Sequence, residues 1–304
     1  MANAAKLAEQ PSVRMLLTGF PGSGKTGSLA SLANAGFKLR VVDFDGNPES
    51  LLAFTDESAL ANIDIVSLED PISASGAFVG VSGVPTAFVK GVRLLDQWRY
   101  EDPDGVDDGK GKKWVDLGKS KDWGPDTIVV VDGLTGMGAA AFARARAMAN
   151  KTPQNTTLAV WGHAMEEQMA FVKRLTSAQN RHHVIVISHL KMIGPKDIQA
   201  SDDALTRDLK ERVADLVPTR FYPSALGRAL PENIAGEFPV VVNIENVARG
   251  KTVTRRFNFY PRPDMDLKLP VKKIAELGEL GPRSGLLTLF KALGANPPQP
   301  EKAA

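Results

Sequence analysis

Residues 19–26 read GFPGSGKT, a complete G-x-x-x-x-G-K-[ST] pattern. The chemistry served by that spacing is phosphate binding. Gly22 and Gly24 let the backbone curl so that successive N–H groups point into one concavity, and the start of a following helix adds partial positive charge. Lys25 is placed to meet the β- and γ-phosphates of a nucleotide, and Thr26 to offer its hydroxyl to Mg2+. The expected nucleotide-binding set is therefore Gly19, Phe20, Pro21, Gly22, Ser23, Gly24, Lys25, Thr26 and Gly27. A chance glycine-rich turn is the competing reading. It requires the flanking strand and helix patterns to be coincidental.

A second acidic position completes the pattern. In DTIVVVDGLT, Asp132 follows four apolar residues, at the C-terminal end of what reads as a buried strand. Open α/β sheets place their ligands at that end. Asp132 is expected to hold Mg2+ through water, as the partner of Thr26. An Asp capping the next turn is the plainer alternative. Gly133 follows it, not Glu, so a group that orients attacking water must come from elsewhere.

These residues need a frame. VRMLLT (13–18) predicts a strand, and TGSLASLANAG a helix ending at Gly36. FKLRVVDFD is the next strand, NPESLLAF a turn with a short helix, NIDIVSL a third strand, and PTAFVKGVRLLDQWRY a helix. Residues 101–123 are polar and rich in Gly, Asp and Lys, and read as an exposed loop or hairpin insertion. After the Asp132 strand a long helical stretch runs to Gln179, broken near NKTPQNTT. Val184–Ser188 is a buried strand that ends at His189, with a basic loop from Lys191 to Gly194. ASDDALTRDLKERVADLV has helical spacing. FPVVVNIENV and TVTRRFNFYP read as an antiparallel pair joined by ARGK. VKKIAELGEL and GLLTLFKALG are short helices, and the Pro-rich end predicts disorder. Strands alternating with helices over the first 190 residues imply a mainly parallel sheet covered by helices. The expected division is a 1–11 tail, a 12–270 core and a 271–304 C-terminal region.

Composition narrows the classes. The chain has 304 residues, 43% apolar and 24% charged, enough to bury a sizeable core. It has no cysteine, which removes disulfides, Cys-based zinc sites and a thiol nucleophile, and suits a reducing cytoplasm. MANAAKLAEQPSV lacks the apolar segment of a signal peptide, and no apolar run is long enough to span a membrane. The net charge of +2 neither demands nor excludes nucleic acid, so any electrostatic argument must be local.

The order of these features resembles the RecA-like P-loop ATPase core: P-loop, acid-ended strand, Asp-ended strand, then a strand with a polar end and a basic loop. More narrowly, the chain resembles phage-encoded AAA-domain proteins with a minimal RecA-like core, a group that includes single-strand annealing ATPases of phage recombination. The resemblance covers roughly residues 12 to 270. It is carried by GFPGSGKTGSLA, VVDFDGNPESLL, WGPDTIVVVDGLTGMG, AVWGHAMEEQMAFVKRL, HHVIVISHLKMIG and YPSALGRALPENIAGEFPVVVNIENV. It implies ATP and Mg2+ as ligands and a catalytic set of Lys25, Asp45 and His189. Asp45 stands where the family usually carries the water-orienting Glu, with Asp43 as the other option. Both could instead cap GNPESLL. His189 takes the place of a polar γ-phosphate sensor; a structural His bonding a carbonyl is the alternative. Lys268, in DMDLKLPVKK, is the implied contact to a neighbouring subunit's nucleotide, although the usual K-x-R pattern is not intact.

A protein of that kind handles single-stranded DNA, which demands cations along a groove with flat faces for stacking. Lys191, Lys196, Arg207 and Arg220 form one candidate cluster, diluted by Asp197, Asp202, Asp203 and Asp208. Arg255, in ARGKTVTRR, belongs to another. Trp114 and Trp123 among lysines are a third possibility. Any of these could be an ordinary solvated face. The leading expectation is a DNA-stimulated ATPase that anneals or pairs single strands as a homo-oligomer in the cytoplasm of a bacterial host, with a single-strand-binding protein as a further partner. A replication motor or helicase loader on the same core is the alternative. A P-loop small-molecule kinase and a non-hydrolysing nucleotide-gated scaffold stand behind it.

Overall fold

The computed structural model describes residues 12–75, 78–81, 83–109, 111–152, 155–193, 219–227, 229–250, 252–271, 277, 279–281 and 283–299. In chain order the elements are β1 (Arg14–Gly19), α1 (Lys25–Ser28), α2 (Ala30–Ala33), β2 (Lys38–Asp43), α3 (Glu49–Leu52), β3 (Ile63–Ser67), β4 (Ile72–Ser75), β5 (Phe78–Val81), α4 (Ala87–Asp96), β6 (Arg99–Asp107) and β7 (Lys113–Asp116). They continue with β8 (Thr127–Asp132), α5 (Leu134–Met148), α6 (Leu158–Leu175), β9 (His183–Ile193), β10 (Arg220–Pro223), α7 (Ala229–Ile234), β11 (Val240–Arg249), β12 (Thr252–Asn258) and α8 (Gly285–Ala292).

The main sheet runs β12-β11-β1-β9-β8-β2-β3, with β10 added to β9. From β11 to β3 every neighbouring pair is parallel; β12 joins β11, and β10 joins β9, antiparallel. This is the mainly parallel sheet flanked by helices that the sequence implies. The antiparallel pair near the C-terminus extends the sheet. One strand, β9, separates the P-loop strand β1 from the Asp-ended strand β8.

The apolar runs explain why both faces are covered. Side chains alternate across a strand, so a continuous apolar run buries both sides. Leu16, Val129, Val131, Val184 and Val186 face α4, α5 and α6, meeting Phe88, Leu95, Met137, Phe171 and Val172. Met15, Leu17, Val41, Ile128, Val130, Ile185 and Ile187 face the other way, onto Leu29 and Leu32 after the P-loop and onto Leu286, Leu289 and Phe290 of α8. The C-terminal helix thus shares the core, though the sequence sets 271–304 apart. Within the Pro-rich end for which the pattern predicts disorder, Pro298 packs against Gly36.

One local expectation is narrowed to one of its two forms, and another changes. The polar 101–123 stretch is a β6–β7 hairpin followed by a turn in which Ser120 is buried and donates to Leu95 O. Its two tryptophans are both occupied. Arg99 lies over the Trp114 ring at 4.5 Å, and Trp123 packs on Trp98 with ring centroids 5.7 Å apart. The β9 strand does not stop at Ser188. It continues to Ile193 because β10 supplies hydrogen-bond partners, with Tyr222 opposite Lys191. Lys191 is therefore a strand residue, not a loop residue. The short, small-residue β4–β5 hairpin has no clear signal in the sequence pattern. The predicted helix in 200–217 lies outside the described residues. Among the described residues no helix is long and apolar enough to cross a membrane.

Candidate nucleotide site

Strand register brings the chemistry to one edge. Gly19 at the end of β1 lies beside His189 on β9, and Asp43 at the end of β2 lies beside Asp132 on β8. All four stand at the C-terminal side of the parallel strands, where such sheets bind ligands.

The P-loop has its expected form. Gly22 and Gly24 adopt φ of 74° and 94°, the left-handed region open to glycine. Ser23 N–H donates to Phe20 O at 3.1 Å, closing the curl. Lys25 is 6% exposed, and its ammonium donates to Gly19 O at 2.9 Å and Phe20 O at 3.1 Å. It also lies 3.3 Å from His189 Nδ1. Burial lowers the Lys25 pKa, against the attraction of Asp132 and Asp45.

Thr26 Oγ1 donates to Asp132 Oδ2 at 2.7 Å. Burial raises the Asp132 carboxyl to about 6; the Thr26 bond and Lys25 oppose this, and Asp45 and Asp43 add to it. A buried carboxylate held against a hydroxyl is a pair of hard oxygen donors. That fits Mg2+, which takes one or two protein oxygens and completes its shell with water and phosphate.

Asp43 and Asp45 separate by geometry. Asp43 Oδ1 accepts from the N–H groups of Asp45 at 3.0 Å and Gly46 at 2.9 Å, while its Oδ2 accepts from Ser67 Oγ at 3.0 Å. It caps the turn after β2. Asp45 instead faces the P-loop, with Oδ2 3.7 Å from His189 Nε2 and the Gly136 backbone N–H on its carboxylate. Burial raises its pKa, and His189 pulls it back. For His189, burial and then Lys25 lower the pKa, with Asp45 opposing. A neutral imidazole that accepts from Lys25 at Nδ1 carries its proton on Nε2, toward Asp45.

Lys25, Thr26, Asp45, Asp132 and His189 all line one cavity of about 330 Å³. A second cavity, of about 540 Å³, lies across Gly24, Gly27 and Phe54.

The other expected residues scatter. Arg220 pairs with Asp266 at 2.9 Å and stacks on Tyr222. Lys191 is exposed on β9, beside this pair. Lys268 donates to Ala235 O at 2.9 Å, and its backbone pairs with Val241 on β11, level with Leu16 rather than Gly19 of β1. It is held by its own fold, away from the P-loop edge. Arg255, grouped with DNA contacts from sequence, packs on Gly24 and lines both cavities. Lys196 and Arg207 lie outside the described residues.

Two features escaped the sequence reading. One is the seat of Asp45: a Cβ on Gly133 or Gly136 would overlap its carboxylate. The D-G-x-x-G spacing at 132–136 was the available signal. The other is the approach of Arg255, signalled by its period-two relation to buried Phe257.

No curated protein matches the chain in sequence. Among solved structures, the KaiC-like protein PH0186 of Pyrococcus horikoshii OT3 aligns over 81% of this chain and 77% of its own, at 13% identity and a TM-score of 0.37. The flagellar accessory protein FlaH of Methanocaldococcus jannaschii aligns over 85% of this chain and 84% of its own, at 8% identity and a TM-score of 0.34. The family model described as AAA domain (AAA_24) matches residues 12–262, which includes every residue that lines the 330 Å³ cavity. The chain belongs to this AAA domain family.

Proposed function

We propose that this chain hydrolyses ATP at the P-loop and uses the nucleotide to control single-stranded DNA, as an annealing or strand-pairing protein acting as an oligomer. The observation that carries the ATPase reading is convergence. Lys25, Thr26, Asp45, Asp132 and His189 come from four separate segments, α1, the turn after β2, β8 and β9, and meet in one cavity.

The reaction follows from these positions. The phosphates enter the concavity of loop N–H groups, and the Lys25 ammonium exchanges the Gly19 and Phe20 carbonyls for phosphate oxygens. Thr26 and Asp132 would hold Mg2+, which supplies charge neutralisation on the phosphate oxygens. Asp45 accepts a hydrogen bond from water and aims it at the γ-phosphorus. The new P–O bond forms as the bond to the bridging oxygen breaks, leaving ADP and inorganic phosphate. His189 Nε2–H is available to a γ-phosphate oxygen.

The DNA part rests on the route from that histidine. β9 leaves the site with Lys191 exposed on it, and it is paired with β10. Phe221 of β10 returns to the P-loop and meets Phe20 edge-on, with ring centroids 5.8 Å apart. A change at the γ-phosphate therefore bears on both ends of the β9–β10 pair. Fluorescence anisotropy of a labelled single strand, with ATP, with ADP and with neither, tests this. The expected result is retention at low salt that depends on the nucleotide and weakens in Lys191→Glu. No retention in any nucleotide state would remove DNA from the account and leave the ATPase standing.

A further inference from the structure

Arg255 and Arg256 are adjacent on β12 but point to opposite faces of the sheet. Arg256 sits opposite Glu245 in the ladder, and its Nε donates to Glu245 Oε1 at 2.8 Å. Arg255 shares its face with Phe257, two residues on, which is buried with Leu29 and Leu32 behind the P-loop. That alternation carries the Arg255 side chain over the loop itself. A Cβ built on Gly24 would lie 3.3 Å from Arg255 Cδ and 3.7 Å from its Nε and Nη1. The position is set by the sheet. β11 runs parallel to β1 with Ile244 beside Gly19, and β12 returns along β11 with Phe257 opposite Ile244. Arg255 thus stands one pleat beyond the end of β1, above the Gly24 backbone.

Its surroundings are those of a ligand contact. Arg255 makes no ion pair with a described residue. Arg255, Gly24, Gly27 and Phe54 are common to the linings of the phosphate cavity and of the larger cavity beside it. Arg255 therefore borders both cavities. Lys25 and Arg255 are the two Lys or Arg side chains among the described residues that line the phosphate cavity, with His189. A planar guanidinium with five donors suits phosphate oxygens.

We propose that Arg255 binds the phosphate chain of ATP from within the same subunit, closing the site across Gly24. The inference rests on the reading of the P-loop as an ATP site. It replaces a DNA contact at this residue with a nucleotide contact, and it gives the site a cation that needs no neighbouring subunit.

The test is titration calorimetry of Mg-ATP on the wild type, Lys25→Ala, Arg255→Ala, Arg255→Lys and Arg256→Gln, with Tm measured for each. Arg255 is exposed, so its variants are expected to fold. Arg255→Ala should weaken ATP binding by about tenfold or more, the usual scale for a lost hydrogen bond to a charged group. Arg255→Lys should recover part of this, and Arg256→Gln should bind like wild type. Wild-type affinity in Arg255→Ala, with binding lost in Lys25→Ala, overturns this proposal alone. No ATP binding by the wild type brings down the P-loop reading and this proposal with it. A subunit mixture separates the two directions of contact. Lys25→Ala and Arg255→Ala chains refolded together should hydrolyse no more ATP than the two kept apart. Recovery in the mixture would mean that Arg255 reaches a neighbour's site, which contradicts the assignment.

Discussion

The carboxylate of Asp45 occupies the space that a side chain on Gly133 would need. A Cβ on Gly133 would overlap Asp45 Oδ2, although Gly133 has φ −135° and ψ 151°, a conformation open to any residue. The requirement there is for space, not for backbone freedom. The glycine that replaces an acid after Asp132 thereby makes room for the acid delivered by the neighbouring strand. Gly133→Ala should push Asp45 away from the γ-phosphate position while leaving the P-loop intact. ATP turnover is expected to fall on the order of tenfold to a hundredfold, the scale of a displaced reacting group, with ATP affinity changed little. Wild-type turnover in Gly133→Ala would mean that Asp45 has no part in catalysis.

The two acids after β2 should fail differently. Asp43 accepts three hydrogen bonds that hold the turn, so Asp43→Ala strips partners from two backbone N–H groups and from Ser67. It should cost about 1–3 kcal/mol of stability, read as a lower denaturant midpoint. Asp45→Asn keeps shape and removes charge. It should retain the midpoint and lose turnover. Matching stability losses in the two variants would contradict this division.

Much of this was legible in the residues. The P-loop and Asp132 could be placed because their motifs carry their own context: an apolar run, a turn and a helical start. The parallel sheet followed from strands alternating with helices over the first 190 residues. What was not legible depends on register between distant segments. Asp43 and Asp45 differ by two residues and look alike in a string; only Ser67 and Gly136 tell them apart. Arg255 and Arg256 read as one basic patch until Glu245 and Phe257 are set beside them. The length of β9 was hidden because its partner β10 lies beyond residue 219. Lys268 looked available because nothing in sequence reveals that Ala235 O is beside it.

Stability should fall in mild acid for a reason remote from the site. His182 and His183 are buried, and burial depresses both to about 4 from the ordinary 6.5. Between those values the unfolded chain binds more protons than the folded one. The stability these two histidines contribute is therefore fully present above about pH 6.5 and is lost as pH falls toward 4, by about 1.4 kcal/mol per pH unit for each histidine across the window, and the raised Asp132 carboxyl offsets part of it. His183 Nδ1 accepts from Val13 N–H at 2.9 Å, a role that an amide oxygen can take. His183→Asn should reduce the slope of unfolding free energy against pH between 6.5 and 4, whatever its effect at neutral pH. An unchanged slope would place the acid sensitivity in other groups.

The most direct test of the central claim is ATP hydrolysis by the wild type and by Lys25→Ala, each with and without single-stranded DNA. Turnover by the wild type is expected to rise with DNA, with none above background in Lys25→Ala under either condition. Equal hydrolysis by the two proteins would contradict the assignment of the P-loop cavity as the site of the reaction.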